Sequence, residues 1–421
     1  GKKLICPMDY LAPGLSPKKI LKAQSVEYCI PLKVQSWVCS TKSKTAVPFE
    51  KGGLRFDGIT KRRLIKATLM AGYYLVKGQD EQGRFLYEYC PCRGKEVPGY
   101  NMVRHAGVIW ALLRLYRASG KRRILLSALK GIRYLVKSLE REGSKLFLGK
   151  DNRSVLGGTA LSIVALTSLP KENFSEKLQK ITKAMGRGLV SLQHPSGAFY
   201  LSLQGRDQNE LPNRPPPFYP GESLLALSGL WKRFGDGIFS TAARKAAKQQ
   251  MNLFRKRKVV CHWSVQALVA VAKLLDSRPT LALAGEMAKE LVAEQNKDSS
   301  SPYHPGSWPT KMGITTACSA ACRLEALGPA IEALRHLQDP VEELETTMMR
   351  AAAFILSQQF DKENSFLLKS SRESLGGVKK TPMDYSIRMD VNQHVISALL
   401  NTLELLEQNP SLAAAWKKPR S

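Results

Sequence analysis

Acidic residues are scarce in this chain. Its 421 residues carry 35 Asp and Glu against 64 Lys and Arg, a net charge of +29. So basic a balance favours anionic partners: nucleic acid, an anionic membrane surface or an acidic polysaccharide. Long apolar runs are also missing. The uncharged apolar runs fall short of the ~18 residues of a membrane-spanning helix, so no membrane span is expected. The eight cysteines, Cys6, Cys29, Cys39, Cys90, Cys92, Cys261, Cys318 and Cys322, do not form two C-x-x-C pairs, which leaves a zinc ribbon without support. Cys318 and Cys322, four residues apart on an apolar helix, read as core. Cys90-Pro-Cys92 is too close for a relaxed disulfide between its own members. No cofactor and no metal ligand set is expected. Histidine is rare, six residues in all, so where those six stand carries weight.

What is present is ample core material. At 43% hydrophobic residues the chain is too apolar for disorder. Basic clusters such as TKRRLIK (60–66), KRR (121–123) and FRKRK (254–258) are scattered, which also suits a plain solvated basic surface. The first residue is Gly rather than Met, which reads as a processed or trimmed product with no visible signal peptide.

Residues 1–57 differ from the rest. YCIPLKVQSWVCS (28–40) alternates enough to suggest one or two strands, so this segment reads as a small, partly β N-terminal extension. From 58 onward an apolar period of about 3.6 residues takes over. It predicts twelve helices, over about 58–78, 99–118, 121–141, 155–169, 174–193, 219–234, 238–255, 261–276, 279–296, 313–334, 340–360 and 389–408. A basic tail (409–421) follows.

The helices pair with a shared grammar. The first of each pair is more charged and often ends near a Gln. A turn and a strand-like scrap follow, as in KGQDEQGRFLYEY (77–89), SLQHPSGAFYLSL (191–203) and SQQFDKENSFLLKS (357–370). The second helix is more apolar, as in GVIWALLRLY, GGTALSIVALTSL and VISALLNTLELL. This is a degenerate repeat of about 50–60 residues. Such hairpins suit an open solenoid or a closed toroid. Long connections from charged to apolar helices (about 195–218, 297–312 and 361–388) against short ones between hairpins favour closure.

On repeat number and loop placement, residues 58–408 resemble an all-α (α/α)6 toroid, the architecture of the six-hairpin glycosidases. Polysaccharide lyases, uronate epimerases and the N-acylglucosamine 2-epimerase group share similar barrels. The resemblance implies a glycan-processing cleft at the end carrying the long loops.

In such a barrel all six apolar helices start at that end, and polar residues crowd those starts. The second helix offers Tyr100, Asn101, Arg104 and His105. The sixth offers Tyr219 and Glu222. The eighth offers His262 and Trp263, and the tenth follows Tyr303, His304 and Trp308. The twelfth offers Arg388, Asp390, Asn392, Gln393 and His394. A buried polar group costs several kcal/mol without a partner, so these groups are expected to share a polar cavity. Asn101, Arg104 and His105 share a helix face by spacing, as do Asp390, Gln393 and His394. Helix N-termini favour anionic ligands, and Tyr87, Tyr89, Tyr219, Trp263, Tyr303 and Trp308 are candidates for stacking on sugar rings. Plainer readings stand beside these. Asp390 can cap its helix, Glu222 can answer the helix dipole, His262 can be a core histidine, and 303–308 can be loop packing.

The expected function is a glycan-processing enzyme acting on an anionic, uronate-containing or sulfated saccharide. For hydrolysis, Glu222 and Asp390 are the acid and base. For elimination or epimerisation, His105, His394 or a Tyr removes a proton beside a uronate carboxylate that Arg104 or Arg388 neutralises. Substrate contacts are expected from Arg104, Arg388, Asn101, Gln393, Tyr87, Tyr89, Tyr219, His262, Trp263, Tyr303, His304 and Trp308. A zinc toroid of the lanthionine-cyclase or prenyltransferase kind would use Cys261-His262 with Cys90, Cys92 or His304, but the cyclases' glycine-rich and second-cysteine patterns are not evident. A basic scaffold for nucleic acid is disfavoured, because phosphate binding asks for surface Lys and Arg rather than buried His, Asp and Gln.

Overall fold

The computed structural model describes residues 59–149, 155–213, 216–297, 305–310, 314–362, 364–365 and 368–412, together with the backbone of three short strands near the N-terminus. Those strands, β1 (Ser36–Cys39), β2 (Ala46–Glu50) and β3 (Gly53–Leu54), form an antiparallel sheet in that order. Twelve long helices follow among the described residues. They are α1 (Lys61–Lys77), α2 (Met102–Ser119), α3 (Arg122–Lys137), α4 (Val155–Thr167), α5 (Glu176–Ser191), α6 (Tyr219–Phe234), α7 (Gly237–Arg257), α8 (His262–Leu275), α9 (Arg278–Ala293), α10 (Ala317–Leu337), α11 (Glu342–Gln358) and α12 (Met389–Gln408).

Alternate helices do different work. In α4 every residue from Val155 to Leu166 is buried, as expected for a helix packed on all sides. In α3 the buried set is Ile124, Leu125, Ser127, Ala128, Gly131, Ile132 and Leu135, a single stripe with charged residues opposite. The even-numbered helices form a closed inner ring, α2–α4–α6–α8–α10–α12 and back to α2, and the odd-numbered helices pack outside it. This is the (α/α)6 toroid.

The two ends of the barrel are unlike. From inner to outer helix the chain often turns in two residues, Gly120-Lys121, Gly235-Asp236 and Asp276-Ser277, with Gly120, Gly235 and Asp276 each in the left-handed conformation that stops a helix. From outer to inner helix the links are mostly long and carry the small strands. These are β4 (Glu88–Cys90), β5 (Lys95–Val97), β6 (Leu139–Glu142), β7 (Lys145–Leu148) and β8 (Ile387–Arg388).

The recurrent Gln near the outer-helix ends has a structural explanation. Gln79 Nε2 donates to Gly83 O (3.0 Å) in its own turn and to Ser127 O (3.1 Å) in α3. Gln193 donates to Ala242 O of α7 (3.0 Å). Gln295 reaches Gly306 O (3.3 Å) and Thr347 O of α11 (3.0 Å). Gln359 reaches Gly376 O (3.1 Å) and Ala67 O of α1 (2.9 Å). Each bond across to another helix staples a turn to the next outer helix round the barrel. The turn glycine is required at the same place. Gly376 has φ +86, and a Cβ there would stand 2.2 Å from Met70 O of α1; Gly83, Gly197 and Gly306 repeat the arrangement.

The last staple closes the ring. Beside it, β8 pairs antiparallel with β4, Arg388 opposite Glu88 and Ile387 opposite Tyr89. Replacing Gln359 by Met keeps the volume and removes the amide. The expected outcome is a loss of about 1–3 kcal/mol in equilibrium urea unfolding. A loss below about 0.5 kcal/mol, the scale of an inert surface change, would show that closure does not depend on this bond.

Candidate active site

Five inner helices, α2, α6, α8, α10 and α12, and the links before α2 and α12 bring polar side chains together toward the end where the inner helices begin. Because β8 pairs with β4 and Met389 N donates to Tyr87 O (3.0 Å), the start of α12 is held against the start of α2. Arg388 therefore grips Asp390 with two bonds, Nε to Oδ1 (2.6 Å) and Nη2 to Oδ2 (2.9 Å). Arg104 from α2 reaches the same carboxylate, Nε to Oδ2 at 3.0 Å, and its Nη1 contacts the Tyr87 hydroxyl. Burial alone would raise the Asp390 pKa, but the two guanidiniums overcome it and hold the carboxyl below its usual range.

Glu222, in the first turn of α6, has the opposite environment. It is 3% exposed and its Oε2 has no partner. Burial pushes its carboxyl up to about 8, and His394 opposes this only in part. Glu222 sits so deep because α6 and α8 press together at their starts: a Cβ on Gly221 would stand 2.5 Å from Ser264 N. Tyr219, one turn before Glu222, is raised by burial, by Glu222 and against Arg104, so it lies electrically between the two carboxylate environments.

Behind them lies a mixed cluster. His394 Nδ1 is 2.8 Å from Glu325 Oε2, and His262 Nε2 is 3.8 Å from the same oxygen. The two imidazoles stand edge to face, 5.6 Å apart. Burial would lower His394, but Glu325, Cys318 and Asp390 raise it to about 10; His262, with burial dominant, falls well below the ordinary value. On α10, Cys318, Cys322 and Glu325 occupy positions i, i+4 and i+7 of one face, with the two thiols in hydrogen-bond contact. Cys261 Sγ is 3.8 Å from His262 Nδ1, and burial pushes that thiol up to about 12.

Of the expected residues, Tyr87, Arg104, Tyr219, Glu222, His262, Arg388, Asp390, Gln393 and His394 gather here. Others do not serve as expected. His105 turns away from the axis toward α3. It is fully buried, its Nδ1 meets the Tyr100 hydroxyl (2.6 Å) and its Nε2 meets Gly131 O (2.9 Å), so neither ring nitrogen is left for catalysis. Burial drops its pKa to about 4. Asn101 caps α2, its Oδ1 accepting from Arg104 N (3.0 Å). Tyr89 is a core residue of β4. Trp308, 2% exposed, donates Nε1–H to Leu291 O (2.8 Å) and is loop packing. Trp263 lies near the site, yet its ring is covered by Trp110, His262 and His394 and offers no face to a sugar. Tyr303 and His304 lie outside the described residues. Glu325, Cys318 and Cys322 were missed as site residues. The available signal was a Glu inside the otherwise apolar run ACSAACRLEAL, in step with both cysteines.

No protein-family profile matches the chain, and no curated protein matches it in sequence. Solved structures do match in fold. The α-1,6-mannanase of a Salegentibacter species, in complex with α-1,6-mannotriose, aligns with TM-score 0.60 at 9% identity over 81% of this chain and 99% of that one. The cellobiose 2-epimerase of Spirochaeta thermophila aligns with TM-score 0.59 at 14% identity over 83% and 98%. An unsaturated glucuronyl hydrolase specific for heparin aligns with TM-score 0.59 at 13% identity over 83% and 99%. The chain thus shares the (α/α)6 toroid fold of these structures along nearly their whole length.

The raised Glu222 carboxyl makes stability depend on pH. Its pKa of about 8 lies above the ordinary 4.5, so the folded state holds a proton that the unfolded state has released between those values. Its stabilising contribution is full below pH 4.5 and is lost as pH rises through about 8. Glu222→Gln, which cannot ionise, should therefore gain stability relative to the parent across that window, read as melting temperature against pH. A difference independent of pH would show that Glu222 is ionised in the folded protein.

Proposed function

We propose that the protein is a carbohydrate-active enzyme that hydrolyses an anionic saccharide at the mouth formed by the inner-helix starts. One contrast carries the reading: burial leaves Glu222 without a cation and pushes its carboxyl up to about 8, while Arg104 and Arg388 grip Asp390 and hold its carboxyl below the usual range. Environments that push two carboxylates apart are what acid–base cleavage of a glycosidic bond requires. Glu222 donates its proton to the leaving oxygen as the bond breaks. Asp390 takes a proton from the attacking water, and its two guanidiniums keep it ionised and oriented. His394 acts electrostatically on both carboxylates, which supports a shared site.

The anionic substrate rests on charge. Arg104 and Arg388 together bring two positive charges to one Asp390 and remain 30% and 25% exposed at the side chain. The surplus positive charge, beside helix N-termini and on a chain of net charge +29, suits a uronate carboxylate or a sulfate. Elimination or epimerisation is less well supported, because His105 is spent on helix packing and the His394 Nδ1 on Glu325.

The test is proton NMR in D2O on uronate-containing and sulfated polysaccharides incubated with the enzyme. New reducing-end anomeric signals are expected, and Glu222→Gln and Asp390→Asn should each lower turnover by about 10²–10⁴-fold while remaining folded. Activity should fall as pH rises through about 8, where Glu222 loses its proton. A vinyl proton would instead mean elimination, and deuterium entering the uronate C5 position epimerisation. Full activity in both variants would remove the two carboxylates from the chemistry.

A further inference from the structure

The cluster behind the carboxylates does not take part in that reaction, and its composition has its own logic. His262, Cys322, Glu325 and His394 each direct one ligand-capable atom into a common space, all within 4.8 Å of one another. They come from three successive inner helices: His262 from the first residue of α8, Cys322 and Glu325 from the second and third turns of α10, and His394 from the second turn of α12. We propose that these four side chains form a binding site for a transition-metal dication of the zinc class.

Unpaired atoms motivate it first. Glu325 is fully buried, yet only its Oε2 has a partner; Oε1 has none. His262 Nε2 is likewise buried without a hydrogen bond. Burying a carboxylate with one oxygen unserved is costly, and so is burying an imidazole nitrogen without a partner beside it. A cation bound by the carboxylate and by His262 Nε2 serves both groups. With thiolate and carboxylate as ligands, a dication also leaves the cluster neutral.

Donor chemistry sets the metal class. A sulfur, two imidazoles and one carboxylate are a soft-to-borderline set, which disfavours magnesium and calcium and suits zinc or its first-row neighbours. Four protein ligands describe a closed tetrahedral site, the structural rather than the catalytic kind. In such a site neighbouring ligand atoms lie about 3.3–3.8 Å apart, as bonds of 2.0–2.3 Å require. Within the cluster His394 Nδ1 lies 2.8 Å and His262 Nε2 3.8 Å from Glu325 Oε2, and all four ligand atoms fall within 4.8 Å of one another, close to that spacing. Binding displaces the Cys322 thiol proton and the proton shared by His394 and Glu325, and both leave to solvent.

Gln393 supplies an outer contact. Its Nε2 lies 3.5 Å from His394 Nε2, and its Oε1 is buried without a partner. Turning the amide by half a revolution lets Oε1 accept from His394 Nε2–H. That fixes the tautomer whose Nδ1 lone pair faces Glu325, which is how metal-bound histidines are usually oriented. A metal site here departs from the expectation of none. The ligand set also differs from one built on Cys90, Cys92 or His304: Cys90 ends β4, Cys92 stands in the turn that follows, and His304 lies outside the described residues.

The inference is independent of hydrolysis, since neither Glu222 nor Asp390 is a ligand, and the test does not use turnover. Full-length protein is stripped with chelator and titrated with cobalt(II) and with zinc(II). About one equivalent should bind, cobalt giving tetrahedral visible bands with a near-ultraviolet thiolate charge-transfer band, and zinc raising the melting temperature. Cys322→Ser should abolish the charge-transfer band, and Cys92→Ser should keep it. Gln393→Leu should weaken binding about 10- to 100-fold. If Cys322→Ser does not fold, the parent protein decides alone: no bound metal and no charge-transfer band overturns the site. A band that persists in folded Cys322→Ser overturns the ligand set.

Discussion

Everything at the mouth depends on closing the ring. A linear repeat of helix pairs leaves its first and last members exposed; here α12 fits between α10 and α2, and α1 covers the seam. Two backbone devices set that fit in register. The Gln359 amide ties the last outer turn to α1, and the β4–β8 pairing ties the last loop to the first. The second has a chemical consequence. Arg388 sits at a strand residue opposite Glu88, so its guanidinium and that of Arg104 reach one carboxylate although 284 positions of sequence separate them. A slip of one residue in β8 would turn Arg388 to the other face and leave Asp390 with half its partners.

The asymmetry between the barrel's ends follows from the same chain direction. Every inner helix begins at the end where the links are mostly long and stops where they are mostly short. Tight links such as Gly120-Lys121 have no room for chemistry and settle their helix ends with left-handed residues. The long links supply strands, staples and first-turn side chains, and the helix dipoles there point their positive ends inward. A basic chain that gathers six helix starts at one mouth concentrates positive potential there without any single dominant lysine cluster.

The fold was largely legible in the sequence because it rests on period and repetition. Inner and outer helices differ in how much of their circumference is apolar, and the Gln and turn Gly recur at matching places. The site was legible only in part, for a geometric reason. On a helix buried on all sides, composition does not say which way a side chain points. Arg104 and His105 are neighbours about 100° apart on α2, and that angle sends the arginine to Asp390 and the histidine to Gly131 of α3. Trp308 was attractive as an aromatic beside a helix start, yet its Nε1–H is consumed by Leu291 O. Glu325 and Cys322 were hidden by the opposite error. They lie two turns and nearly one and a half turns into α10, past the helix start where polar residues were expected, and apolar neighbours made them look like core.

The distribution of charge over the three acidic side chains at the mouth orders their roles. Asp390 has two guanidiniums and stays ionised. Glu325 has an imidazole on one oxygen and nothing on the other, a half-met demand that a dication answers. Glu222 meets no cation within bonding distance among the described residues, and burial makes the proton its counter-charge. Had a lysine stood where Tyr219 stands, Glu222 would ionise and lose its use as an acid near neutral pH. Filling the Glu325 cluster with metal while leaving Glu222 unpaired keeps the two functions separate: one group of ligands fixes α8, α10 and α12 in place, and the carboxyl on α6 keeps a proton it can give away.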